Sequence, residues 1–307
     1  MMDLPADFVQ NMRDVFGQDG KQFIADLPAL IDEFAGRWGL SDIQPVSNLS
    51  FNFVAIARRG SDNVVLKLGV PRDELISEIA ALQLYNGKGA CRLLEHEEER
   101  GAMLLERLKP GKMLSELGDD DERTHIAADV MMKLWRDIPY QAPGGSSAIS
   151  KFIKLSDWFD ALKRIRPHFD GGIGPFSREH LERVEAFLPG LLAEPDVTLM
   201  HGDFHHFNIL SSDRGWLVID PKGVIGPAGY EVGPFMINPW GSVADVNQFK
   251  VQAERRVSIL AEHLDWQRQR IIRWSMAHAI LSAWWAIEDG LEDEYSLRCA
   301  ELFSEIK

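Results

Sequence analysis

Three polar residues frame the chemistry open to this chain: Asp203, Asn208 five residues later, and Asp220 twelve beyond that. Apolar residues flank each of them: Leu199 and Met200 before the first, Ile209 and Leu210 after the second, Leu217 to Ile219 before the third. Short apolar runs broken by Ser211-Ser212-Asp213-Arg214-Gly215 predict two strands and a tight turn. One carboxylate then lies on a loop, one amide at the start of a strand, and a second carboxylate at the end of the next. Phosphoryl transfer from ATP needs this layout. One carboxylate orients an acceptor hydroxyl and takes its proton, while the amide and the other carboxylate hold Mg²⁺ on the phosphates.

Two earlier residues extend the set. Lys67 sits in an otherwise apolar strand, Val64 to Leu68, and the run from Asp73 to Leu82 after Pro71 predicts a helix. Leu75, Ile79 and Leu82 form its buried stripe, and Glu78 falls on the same stripe. A carboxylate on an apolar face is costly unless paired, and Lys67 is the natural partner. His201, His205 and His206 invite a zinc reading, but their order does not match H-E-x-x-H. His201 is expected to brace the loop, and His205 to lie near Asp203 or the metal carboxylate. The chain contains no G-x-x-x-x-G-K-[ST].

Stepping through the elements that must position these groups, the first 40 residues are helical in pattern, with Pro28 expected in a first turn ahead of Ile31, Phe34 and Trp38. A strand pair follows, Ser47 to Ile56 and Val64 to Leu68, joined by the turn Arg59 to Asn63. Ala90 to Leu94 and Gly101 to Leu108 are two more strands. From Asp119 the pattern is helical, with Ile126, Val130 and Leu134 in steps of four, a loop over Gln141 to Ser150, a helix capped by Ser156, and another over Arg178 to Leu188 closed by Pro189-Gly190. Strands first and helices after indicate an α+β protein of two unequal lobes.

The totals agree with a soluble globular protein. At 307 residues, 45% hydrophobic and 26% charged, the chain supports one large domain or two modest ones. A net charge of −14 argues against nucleic acid and anionic membranes as partners. Two cysteines, Cys91 and Cys299, and an N-terminus without a basic region and apolar core fit a reducing cytoplasm. The most apolar stretch, Trp274 to Ile287, falls short of a membrane span.

His201-Gly202-Asp203-Phe204-His205-x-x-Asn208 followed by Ile219-Asp220 resembles the signature of the aminoglycoside phosphotransferases, and Trp216 to Gly223 is similar to their streptomycin 6-kinase and hydroxyurea phosphotransferase branch. The resemblance runs from about Ser47 to the C-terminal helices. It implies a protein-kinase-like fold, with a small N-terminal lobe (residues 1–106) built on an antiparallel sheet and a larger, mainly helical C-terminal lobe (107–307). It implies ATP and Mg²⁺ as cofactors, Asp203 as the catalytic base, Asn208 and Asp220 as metal ligands, and Lys67–Glu78 as the pair that positions the ATP phosphates. Glu106 to Leu108 would offer backbone groups to adenine. The phosphate loop departs from the family's usual pattern: Leu49 to Asn52 has no glycine, leaving Ser50 and Asn52 as donors. Lys222, just past Asp220, could touch a phosphate, balance the carboxylates or be a plain surface lysine.

The implied acceptor is a small hydroxylated cation such as streptomycin. Acidic residues should then line its pocket, the candidates being Glu231, Glu288 and Asp289, with Glu292 and Asp293 beyond them. Two alternatives stay open on the sequence. One is a kinase of the same fold for a metabolite alcohol of choline, sugar or amino-alcohol type. The other is a nucleotide-binding protein without catalysis.

Overall fold

The computed structural model describes residues 4–136, 149–239 and 246–307. The chain opens with α1 (Ala6–Trp38), which buries Phe8, Met12, Phe23, Leu27, Leu30, Phe34 and Trp38. A kink at Gly17 (φ 59°, ψ −123°) lets the stripe follow the curved surface beneath it. Pro28 lies inside this helix rather than in a first turn. An interior proline costs roughly 3 kcal/mol, and burial of the stripe from Phe23 to Trp38 offsets it.

Five strands follow: β1 (Leu40–Pro45), β2 (Phe53–Arg59), β3 (Asp62–Leu68), β4 (Leu93–Glu97) and β5 (Ala102–Glu106), with α2 (Asp73–Tyr85) between β3 and β4. They form one antiparallel sheet in the order β1-β2-β3-β5-β4. Strand alternation separates its two faces. Phe53, Ala55, Ala57, Leu66 and Leu68 pack with the α1 stripe, while Lys67, paired across to Val54 and Met103, sits on the other face. Met103 and Leu105 belong to the second, larger core, with Leu75, Ile79 and Leu82 of α2.

Two strand boundaries differ from expectation. The strand expected from Ser47 begins at Phe53, because Leu49 is drawn into the α1 core and the chain from Ser47 to Asn52 forms a loop. The strand expected from Ala90 begins at Leu93. The segment before it pairs instead with a distant strand: Cys91 N–H donates to the Val218 carbonyl (2.9 Å), and Val218 N–H to that of Gly89 (2.9 Å).

The rest of the chain is mainly helical. β6 (Pro110–Met113) joins the hairpin of β9 (Ile209–Ser212) and β10 (Gly215–Val218). β7 (Ile153–Lys154), β11 (Val224–Pro227) and β8 (Val197–Met200) make a second small sheet in that order. Around these pack α3 (Asp120–Leu134), α4 (Leu155–Phe159), α5 (Ile165–His168), α6 (Arg178–Leu192), α7 (Val232–Met236), α8 (Val246–Leu264), α9 (Arg268–Glu288) and α10 (Glu294–Glu305). Asp119 caps α3, accepting from the amides of Asp121 and Glu122.

Ser156 does not cap a helix. α4 starts before it, at Leu155, because that side chain is buried in the core. Pro189-Gly190 does not close α6, which runs on to Leu192 with Leu188 and Leu191 still buried. Most of the expected loop Gln141 to Ser150 lies outside the described residues. No helix among the described residues is long and apolar enough to cross a membrane.

Candidate active site

Asp203, Asn208 and Asp220 come together as the expected loop, strand and turn, held by the backbone. Asn208 stands just before β9, and its N–H donates to the His205 carbonyl (2.9 Å). The Ile219 N–H donates to the Asn208 carbonyl (3.0 Å), so the two ends of the β9–β10 hairpin are tied beside each other. Asn208 Nδ2 donates to the Asp203 carbonyl at 3.0 Å. That contact spends the amide nitrogen and turns Oδ1 into the free donor atom. Asp220 follows in the left-handed region (φ 57°), a conformation that non-glycine residues adopt at some cost and that recurs at functional sites.

His201 braces the loop with both ring nitrogens. Nε2–H donates to the Ile219 carbonyl (2.8 Å), and Nδ1 accepts from the Asp203 N–H (3.1 Å). These two contacts define a neutral tautomer. Burial agrees, pushing the His201 pKa down to about 4 despite the nearby Asp203. His206 is buried and stacked on Phe235 at 4.4 Å between ring centroids. With both nitrogens engaged, His201 has none left for zinc. His205 Nε2 lies 3.5 Å from Asp203 Oδ1. Burial would raise the Asp203 pKa, but His205, His201 and Lys222 together hold it below the ordinary range. The Asp203 side chain is still 42% exposed, so its carboxylate faces open space.

Lys67 is the junction between the two parts of the chain. Its ammonium reaches both Glu78 oxygens at 2.7 Å and Asp220 Oδ1 at 3.0 Å, and its side chain is only 4% exposed. Burial works against its charge, but Asp220 and Glu78 outweigh that and keep it protonated. Burial pushes Glu78 up to about 7 even with Lys67 on it, and the neighbouring Asp220 charge adds to the rise. Asp220 also feels burial, yet Lys67 holds it below the usual carboxylate range. With Lys67 on Oδ1, Asp220 keeps Oδ2 for another partner. One free amide oxygen and one free carboxylate oxygen are hard donors of the kind Mg²⁺ selects, so these residues fit that ion.

A cavity of about 430 Å³ opens beside Lys67. Ser50, Asn52, Lys67, Glu106, Leu108 and Asp220 all line it, with Cys91 as an unexpected member. Asn52 leans against Gly69, where a Cβ would stand 2.1 Å from its Oδ1. The Ser50 carbonyl accepts weakly from Asn11 of α1 (3.5 Å). Glu106 N–H is taken by the Arg92 carbonyl (2.9 Å) and its side chain by Arg214, so what Glu106 can present to a base is its carbonyl. A larger depression of about 530 Å³ lies behind the sheet, between α1 and Gly69–Arg72. It contains none of these groups, and Arg72 there is paired with Asp19.

The expected acceptor carboxylates are placed differently. Glu231 is fully buried; its oxygens accept the His201 N–H (2.7 Å) and the Gly202 N–H (3.0 Å). It holds the Asp203 loop from beneath, out of contact with solvent. Gly202 itself has φ 87°, and a Cβ there would meet Val224 at 2.4 Å. Glu288 is held by Arg164, at 2.6 and 2.7 Å. Asp293 caps α10 through the Ser296 N–H (2.9 Å). Asp289 is exposed just past the end of α9.

Two residues that the sequence reading passed over lie on α2, outside the cavity lining. Ser77 Oγ donates to the carbonyls of Lys222 and Gly223, both at 2.9 Å, and Lys222 Nζ pairs with Glu74. Glu74, Ser77 and Glu78 share one face of α2 at steps of three and four, and that spacing was the available signal.

The sequence profile of the aminoglycoside/hydroxyurea antibiotic resistance kinases matches residues 37–290. The chain is 30% identical over 277 residues to a streptomycin 6-kinase of Streptomyces griseus, covering 90% of this chain and 88% of that one. It is 30% identical over 294 residues to a hydroxyurea phosphotransferase of Kitasatospora aureofaciens, covering 94% and 82%. In fold it is similar to an aminoglycoside phosphotransferase crystallised with ADP and hygromycin B, with a TM-score of 0.59, 16% identity, and coverage of 89% and 97%.

Proposed function

This chain belongs to the aminoglycoside/hydroxyurea antibiotic resistance kinases, and from that premise we propose that it transfers the γ-phosphoryl group of ATP to a hydroxyl of streptomycin or a related aminocyclitol. The observation that carries the reading is Lys67, held at once by Glu78 of the sheet-side helix and by Asp220 of the hairpin, at one end of the cavity. It joins the nucleotide end of the cleft to Asp203 and Asn208. The cavity takes the nucleotide, with Glu106 and Leu108 toward the base and Ser50 and Asn52 toward the phosphates.

Transfer is direct and in line. Asp203 accepts a hydrogen bond from the acceptor hydroxyl, aims its oxygen at the γ-phosphorus and takes the proton as the new O–P bond forms. The bond from the γ-phosphorus to the bridging oxygen breaks, and its electron pair leaves on ADP. Lys67 stabilises the phosphate charge from a site where burial strengthens the interaction. Asn208 and Asp220 would hold Mg²⁺, which supplies further neutralisation of the phosphate oxygens when bound. His201 and Glu231 keep the Asp203 loop in register from behind.

The test is ATP consumption that depends on added streptomycin, run beside hydroxyurea, choline and a panel of other aminoglycosides. Turnover with streptomycin, together with raised streptomycin tolerance in a sensitive bacterium expressing the chain, supports the reading. Turnover confined to choline or another metabolite alcohol defeats the substrate claim and leaves the kinase claim intact.

A further inference from the structure

We propose that Lys222 is a second catalytic ammonium, which exchanges Glu74 for an oxygen of the phosphoryl group being transferred. The inference rests on the nucleotide chemistry proposed above and adds a residue to it. The backbone of Lys222 is pinned on both sides. Its N–H donates to the His201 carbonyl at 2.7 Å, and its carbonyl accepts from Ser77 of α2 at 2.9 Å. It is therefore a fixed point between the Asp203 loop and the helix that carries Glu78.

The side chain is held far less firmly. Lys222 pairs with Glu74, one turn of α2 before Glu78, so two lysine–glutamate rungs stand side by side on one helix face. The rungs differ in burial. Lys67 and Glu78 are 4% and 8% exposed, whereas Lys222 and Glu74 are 36% and 61% exposed. A solvated pair contributes about 0–1 kcal/mol, so Lys222 can leave Glu74 at little cost. Lys67, itself buried and held by both Glu78 and Asp220, cannot leave them so cheaply. The first rung is a fixed strut and the second a releasable one.

The position suits a transferred phosphate. Lys222 is close enough to Asp203 and Asp220 for its charge to favour the ionised form of both. An anion bridging from the Asp220 side to an acceptor on Asp203 passes between them. As the acceptor O–P bond forms and the bond to the ADP oxygen breaks, charge spreads over the non-bridging oxygens. An ammonium that can swing onto those oxygens stabilises the transition state more than the bound nucleotide.

The experiment compares Lys222→Met with Glu74→Gln in the full chain. It measures steady-state turnover with MgATP and streptomycin, and calorimetric binding of ADP and of a non-hydrolysable ATP analogue. Lys222→Met should lower kcat by about 100-fold or more, the scale of losing one charge-stabilising donor. It should weaken the analogue about tenfold while ADP affinity stays within threefold. Glu74→Gln should keep turnover within threefold. Equal losses in the two variants would show a structural ion pair only and overturn the proposal, as would equal weakening of ADP and the analogue. Lys222→Arg with a wild-type melting curve and partial recovery of kcat guards against misfolding. If wild type turns over no acceptor but binds nucleotide, the substrate reading fails and the ADP-to-analogue ratio still decides the role of Lys222. A wild type that binds neither nucleotide defeats both.

Discussion

On the nucleotide side of the cleft one ammonium serves two carboxylates, and the cavity beside it is lined by the residues expected there. On the acceptor side two of the expected acids are already satisfied. Arg164 takes both oxygens of Glu288, and the His201 and Gly202 amides take both oxygens of Glu231. The same residue types therefore do opposite jobs. A carboxylate attracts a ligand when its partners leave it a free lone pair, as for Asp220 and Asp203; when every oxygen is taken it is a brace. A net charge of −14 consequently says little about where a cation would bind.

The contrast is broken most severely at the catalytic loop. Asp203→Ala should lower kcat by about 10²–10⁴-fold, the usual contribution of a positioned general base. Lys67 and Asp220 remain, so ADP affinity should stay within about twofold by the same separation of roles. Steady-state kinetics and ADP calorimetry measure the two effects. A comparable loss in both would mean that Asp203 helps to bind nucleotide, and the two sides of the cleft could not be treated separately.

Glu231→Gln tests the brace. Glutamine has one acceptor oxygen for two amide donors, and its own NH₂ would face the second. Leaving a buried N–H unmet costs about 1–3 kcal/mol. A small displacement of the loop can lower kcat by up to about 100-fold. The expected result is a kcat lowered by about 10- to 100-fold with KM for ATP nearly unchanged. Stability carries a second signature. Burial pushes the Glu231 pKa from 4.5 to about 7, so between these values the folded form holds a proton that the unfolded form has lost. The stability contributed by this group then falls as pH rises from 4.5 toward 7. Thermal melts of the variant across that window should lack this slope relative to wild type. An unchanged kcat would remove Glu231 from any role in positioning.

Much of this was legible in the residues and some was not. The spacing of Asp203, Asn208 and Asp220 around two apolar runs conveyed the hairpin, since strand alternation and a turn leave few other arrangements. Glu78 on an apolar stripe demanded a cation, and Lys67 is that cation. Strand ends were harder. Whether Leu49 joins the strand or the α1 core depends on a helix far away in sequence, and the pairing of Cys91 with Val218 depends on a hairpin over 100 residues later. Glu231 was read as a ligand because its residue type fits a cationic substrate. Only the fold shows two amides pointing at it. Pro189 was read as a helix end and Pro28 as a helix start because local cost was visible and tertiary burial was not.

The smallest effect is expected at Glu288, and it sharpens the comparison most directly. Its partner Arg164 has a side chain 56% exposed, so the pair lies in the class of surface contacts that contribute about 0–1 kcal/mol. Glu288→Gln keeps the shape and removes the charge. If the acid is spent on Arg164, KM for streptomycin and the melting temperature should both stay close to wild type, with changes in KM under about fivefold, the equivalent of at most about 1 kcal/mol. Arg164→Gln is the reverse experiment. It returns a free carboxylate to the end of α9, and if that carboxylate faces the acceptor, a cationic acceptor should bind more tightly while a neutral one is unaffected. Tighter binding in Arg164→Gln, abolished in the double variant, would place Glu288 at the acceptor site, held in reserve by its arginine. No change in either variant would leave cation recognition to carboxylates that keep a free oxygen, such as the exposed Asp203.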